Sequence, residues 1–158
     1  MNLTLVFLLA FLIGCICGLR SMTGPAVVCW GAHLGWLRLS GSKLAFLGVA
    51  ASVAVFTLLA LGELIADKLP KIPGRTQAGP LIARFVFGAM CGAAIAVSAQ
   101  TGAGVGAVLG GAGGIAGAFL GYHVRRWLTV ERKLPDFAVA LLEDIVAVGG
   151  GLLIVSRF

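Results

Sequence analysis

Charge is the scarcest property of this chain, and negative charge is the scarcer half. Lys and Arg number 12, Asp and Glu only 6, and together they make up 11% of 158 residues. Soluble domains carry roughly 25% charged residues, so no water-soluble fold of this size competes. Histidine occurs twice, and His33 and His123 stand alone as interfacial or packed imidazoles. The four cysteines (Cys15, Cys17, Cys29, Cys91) form no CxxC pair and lie in apolar stretches, where they read as small buried hydrophobes. There is no P-loop lysine, no Ser/His/Asp constellation and no metal-ligand cluster. Enzyme activity, a metal and a cofactor are therefore not expected. Gly102-x-Gly104-x-x-Ala107 and Gly111-x-Gly113-x-x-Ala116 fit a relaxed dinucleotide fingerprint, but no strand precedes them, and helix packing accounts for both.

Long uncharged runs fill the space that charge leaves. Residues 3–19, 44–62, 85–99, 103–122 and 145–155 contain no charged side chain; hydrophobic residues make up 59%, and mean hydropathy is +1.06. In hydrocarbon every backbone N–H and C=O must be satisfied within the protein, so such runs read as membrane-crossing helices. A crossing needs about 20 residues. The expectation is an all-α integral membrane helical bundle of five to six hydrophobic segments, one transmembrane domain over 1–158. Leu12-Ile13-Gly14-Cys15 fits a lipoprotein cleavage box, but Met1-Asn2-Leu3-Thr4 lacks the Lys or Arg that opens a secretory signal.

The first segment, 3–19, is closed by Arg20. A shorter one, 25–37, follows Ser21-Met22-Thr23-Gly24-Pro25, with Thr23 as candidate helix cap and Pro25 in the first turn. At 13 residues it is short for a span, so re-entrant and tilted readings both stay open. The third, 44–62, is expected to run on as helix to Asp67. The 68–80 stretch holds three of the five prolines and reads as a loop. Segments 85–99 and 103–122 form a hairpin, and the last runs from Pro135 to about Ser156.

Glycine supplies the packing surface. Gly102, Gly106, Gly110 and Gly114 recur every four residues, a spacing that lets a second helix approach closely. Residues 11–18 (FLIGCICG) resemble 85–92 (FVFGAMCG), which adds Gly14, Gly18, Gly88 and Gly92 to the packing candidates. Thr23-Gly24 with Thr101-Gly102, and Glu63 with Glu143, extend the match. Half-repeats 3–67 and 81–156 of three segments each would have opposite membrane orientation.

Basic residues set the expected orientation. The 63–84 and 123–136 loops hold eight of the twelve Lys and Arg and fall on one side, which should be cytoplasmic in a bacterial inner membrane. These residues suit anionic lipid headgroups rather than nucleic acid. The N-terminus is then cytoplasmic with five spans and outside with six.

Four of the six acids, Glu63, Asp67, Glu143 and Asp144, adjoin or lie within membrane segments. Glu143-Asp144 sits about 10 Å into its helix at ~1.5 Å per residue, where an ionised group costs at least roughly 2.5 kcal/mol. Such acids must face inward and meet cations, with Arg20, Arg75 and Arg84 the available partners near helix ends. The break at Arg20, Ser21 and Thr23 exposes helix-start N–H groups beside a guanidinium, which suits an anion or a carboxylate. An ordinary interfacial turn explains the same residues.

GLRSMTGPA, the E-x3-D-K-x-P-x2-P-x-R-T run from Glu63 to Thr76, and ARFVFGAMCGA together resemble the bacterial membrane family catalogued as domain of unknown function 4126. The resemblance covers nearly the whole chain and implies a compact membrane bundle; it carries over no catalytic residue.

Two functional readings follow. The first is a small transporter or channel-like protein for a small solute or ion, its polar site built from Arg20, Ser21, Thr23, Glu63, Asp67, Arg75, Arg84, Glu143 and Asp144. The second is a non-transporting structural or accessory membrane protein, assembled through its glycine-rich helix faces, with a homo-oligomer as partner. A lipid-modifying enzyme is a distant third, since no nucleophile–base pair is evident.

Overall fold

The computed structural model describes residues 2–66 and 77–158. Six α-helices follow in order: α1 (Leu3–Leu19), α2 (Thr23–His33), α3 (Ala50–Ala66), α4 (Ala78–Ser98), α5 (Ala103–Arg126) and α6 (Asp136–Val155). A 3₁₀ turn at Ala45–Gly48 leads into α3, and a π-helical turn at Trp127–Glu131 continues α5. The chain is an all-α membrane bundle. α4, α6 and α5 with its π turn are long and apolar enough to cross a bilayer, while α1 and α3 are apolar helices of 17 residues each. Among the described residues, three of the five expected spans thus exceed 18 residues.

Large apolar side chains point outward and small ones inward, the reverse of a soluble bundle. Leu58, Val108, Leu120, Ile145 and Leu153 are exposed, whereas Ala10, Ala94, Ala96, Ala118 and Ala147 are fully buried. Lipid tails are as apolar as leucine, so helices in a membrane gain from close backbone approach instead. α5 supplies that approach on two sides. A Cβ on Gly106, Gly110 or Gly114 would strike backbone of α4 at Gly92, Gly88 or Arg84, and one on Gly113 or Gly117 would strike α1 at Phe11 or Cys15. Gly14 and Gly88 both face Gly110. Gly102 does not join this surface. It is the N-cap of α5, and nothing lies within 4 Å of the Cβ it lacks.

The same contacts fix the helix directions. Gly14 lies on Gly110 and Gly18 on Gly114, so α1 runs parallel to α5. Gly88 lies on Gly110 and Gly92 on Gly106, so α4 is antiparallel to both. The bond from Arg125 to Asp136 closes the α5–α6 turn, which sends α6 back. Val27 packs on Gly151 and Val155 on Gly31, so α2 runs with α6 and against α1. Trp30 Nε1 donates to Thr57 Oγ1 while Met22 N–H donates to Glu63, so α3 runs against α2.

α1 and α2 are therefore two arms of a hairpin that enters from the Arg38–Ser98 end of the bundle and returns there. At 11 residues α2 is about 16 Å long at ~1.5 Å per residue, half of a ~30 Å hydrocarbon core. A helix of that length favours the re-entrant reading of this segment over the tilted one.

Three boundaries differ from the sequence reading. α4 begins at Ala78 rather than 85, with Pro80 inside its first turn, where a missing N–H leaves no helix bond unmade. α5 runs past 122 to Arg126 and on through the π turn, so most of 123–136 is helical rather than loop. Thr23 does not cap α2: Met22 is the cap residue, and no side chain caps it.

Candidate functional site at the hairpin tip

The chain leaves helix at Arg20, which is extended (φ −138°) and donates its N–H to Ile16 O. It re-enters helix at Thr23. Gly18 lies beside Gly114, Gly117 and Ala118 of α5, so it sits about 12 Å short of the Arg126 end of that helix at ~1.5 Å per residue, and the break at Arg20 begins two residues nearer that end. Asp144 is eight residues past the start of α6 and again about 12 Å from that end. Both measures put the tip alongside the interior of α5 and α6 rather than at their ends. Non-helical backbone is tolerated at such depth only where protein covers it or a polar cavity receives it.

Arg20 is the largest fully buried side chain, 1% exposed, and its Nη2 lies 2.5 Å from Asp144 Oδ1. In a buried ion pair of this kind the mutual attraction offsets part of the desolvation of both partners. Glu63, half-buried on α3, points at the tip from another side. Its Oε1 accepts the N–H of Ser21 and its Oε2 that of Met22, each at 2.8 Å. The carboxylate thus occupies the positive end of α2, where an anion is favoured. Ser21 is buried, and Thr23 is buried with an Oγ1 that has no hydrogen-bond partner among the described residues. Arg84 is buried on α4; its carbonyl abuts Gly114, the residue on which Gly18 also packs, so it stands level with the tip.

Glu143 goes elsewhere. Arg125 donates from Nε and a terminal nitrogen to both oxygens of Asp136, at 2.9 and 2.8 Å, and its other terminal nitrogen lies 3.7 Å from Glu143 Oε2. The adjacent acids are therefore split, Asp144 turned to the hairpin and Glu143 to the end of α5. Arg20, Ser21, Thr23, Glu63, Arg84 and Asp144 form one level of the bundle; Glu143 belongs to a second group with Arg125. Asp67 and Arg75 lie outside the described residues.

Two contributors escaped the sequence reading. Arg125 was counted with a loop, because the apolar run stops at Tyr122 while the helix does not. Met22 contributes only its backbone, which no residue type announces. Both histidines bond to backbone carbonyls: His33 Nδ1 with Gly48 O, and His123 Nδ1 with Phe119 O. Cys17, Cys29 and Cys91 are fully buried among apolar neighbours.

Two cavities border the tip. One of about 380 Å³ lies between α2, α3 and α6 and reaches Thr23 past Trp30, Leu61 and Leu64. Another of about 400 Å³ lies between Leu19, α5 and α6 and reaches Glu143 and Arg125.

Neither the curated proteins nor the solved structures contain a match to this chain. Residues 7–156 match the sequence profile described as domain of unknown function (DUF4126). The chain belongs to the DUF4126 family.

Proposed function

We propose that the chain is a small transporter or channel-like protein that moves a small solute or ion past the hairpin tip, without enzymatic activity. The observation that carries this reading is the buried break at Arg20–Met22, with Asp144 on the guanidinium and Glu63 on the exposed N–H groups. A purely structural bundle gains nothing from a broken backbone and four charged side chains at membrane depth, because each costs free energy there. Discontinuous helices whose N-termini meet polar groups near the midplane are how many transporters hold their solutes.

In this reading the protein lies in a bacterial inner membrane with the Arg125–Asp136 end cytoplasmic. That end carries Arg125, Arg126, Arg132 and Lys133, against Arg38, Lys43 and Arg157 at the other. The basic end would meet anionic lipid headgroups. The hairpin then opens from outside, and 3–67 and 81–156 are the two inverted halves.

The direct Arg20–Asp144 pair favours the second reading, a structural or accessory protein. That reading calls on glycine faces for assembly with other copies, yet Gly14, Gly18, Gly88, Gly92, Gly106, Gly110 and Gly114 are buried within a single chain. The test is flux in liposomes. Protein reconstituted at defined density should release or accumulate small solutes above empty vesicles, and Glu63→Gln should abolish this while remaining folded. No flux for anions, cations or neutral solutes, with a folded protein, would leave the structural reading.

A further inference from the structure

One carboxylate already sits on the tip. Its two oxygens are divided evenly between two consecutive N–H groups, Ser21 and Met22, at 2.8 Å each. One oxygen on each of two donors is the bidentate arrangement of a two-oxygen anion. The seat is larger than its occupant uses. Among the described residues, Ala26 is the first of α2 whose N–H reaches a backbone carbonyl, that of Met22, and Pro25 has no N–H to offer. Thr23 Oγ1, 2% exposed, has no partner among the described residues, although a buried hydroxyl ordinarily finds one. Thr23 also lines the cavity of about 380 Å³ between α2, α3 and α6, whose other walls are apolar apart from Thr57, which is bonded to Trp30: Ala26, Val27, Trp30, Leu61 and Leu64. Ala60 and Leu64, on either side of Glu63 along α3, border the same space.

We propose that the hairpin tip is a recognition site for a small monocarboxylate with an apolar tail, and that Glu63 is its internal occupant until the solute replaces it. The incoming carboxylate takes the N–H groups of Ser21 and Met22 and the hydroxyl of Thr23, and its tail enters the apolar cavity. Exchanging one carboxylate for another on the same donors conserves the hydrogen bonds, so the swap asks only that the Glu63 side chain swing away on α3. This deepens the transport reading by naming the solute class, and it rests on that reading for the solute's passage.

The experiment removes the internal occupant. Glu63→Ala deletes the equivalent of one acetate, so sodium acetate should refill the seat. Thermal unfolding of the purified variant in detergent should rise saturably with acetate relative to sodium chloride at equal ionic strength, by about 3 °C at ten times the dissociation constant. Wild type should not shift over the same range. Equal midpoints in acetate and chloride would overturn the inference. If Glu63→Ala is recovered folded only from acetate, that supports the seat. If it folds in neither salt, Glu63→Gln takes its place, since one amide oxygen still accepts one N–H. Saturation-transfer NMR with butyrate should then show binding that Thr23→Val weakens at least tenfold, and no transfer to butyrate would overturn the proposal. Liposomes separate the two readings. Acetate rescue without butyrate flux through wild type retains the site and removes transport; flux of another solute without acetate rescue retains transport and removes this site.

Discussion

Asp144, the ninth residue of α6, lies against Arg20 at the tip of a hairpin formed by the first two helices. Its neighbour Glu143 faces Arg125 at the end of α5. Two acids adjacent in sequence therefore serve two different parts of the bundle, and they should respond differently to neutralisation.

Asp144→Asn removes a carboxylate that lies against the buried Arg20 guanidinium and should destabilise the protein by up to about 3–5 kcal/mol. Glu143→Gln leaves Arg125 on both oxygens of Asp136, and the contact it weakens is a long one of 3.7 Å, so its cost should be the smaller of the two. Thermal unfolding of both variants in one detergent checks this. The order fails if Glu143→Gln is the more damaging.

Replacing both charges separates pairing from burial. Arg20→Met with Asp144→Leu substitutes apolar groups for a buried ion pair, a change that is often neutral or stabilising. The double variant should be at least as stable as Asp144→Asn and should lose any flux that wild type shows. A double variant less stable than either single one would mean that Arg20 holds the tip through contacts other than Asp144.

Gly110 touches both Gly14 of α1 and Gly88 of α4, whereas nothing lies within 4 Å of a Cβ on Gly104. Gly110→Leu or Gly114→Leu should wedge the backbones apart and cost more than about 4 kcal/mol, the range reserved for overpacked cores. Gly104→Leu should stay within about 0.5 kcal/mol of wild type. Equal unfolding midpoints for the three variants would remove the packing argument.

The helical class and most of the glycine contacts were legible because both depend on local composition: apolar runs declare helices, and a four-residue glycine spacing declares a face. Gly102 continued that spacing yet lies outside the contact, since periodicity cannot say where the partner helix begins. The polar level was legible in part. Depth alone required Asp144 to meet a cation, and Arg20 was among the three available. Glu63 was expected to meet a cation too, but it found backbone N–H groups, which every residue carries and no sequence pattern marks. The hairpin itself was one of two open readings for a 13-residue stretch, because length excludes a comfortable crossing without showing where the chain returns.

Topology offers the last test, because a re-entrant hairpin and a pair of full crossings put both flanks of α1–α2 on one side and differ only at the tip. In a background with the native cysteines replaced, Ser40→Cys and Thr101→Cys should react with a membrane-impermeant maleimide from the same side, and Arg132→Cys from the other. Lys71→Cys should follow Arg132→Cys, since its loop carries the same excess of basic residues. Ser21→Cys decides the matter. If α1 and α2 crossed fully, position 21 would emerge beside the basic loops and accept a bulky polyethylene-glycol maleimide from that side. With Ser21 buried at the tip beneath Glu63, it should resist that reagent from either side until the protein is unfolded in dodecyl sulfate. Modification of Ser21→Cys from the Arg132 side in intact vesicles would refute the hairpin, and with it the site built on its tip.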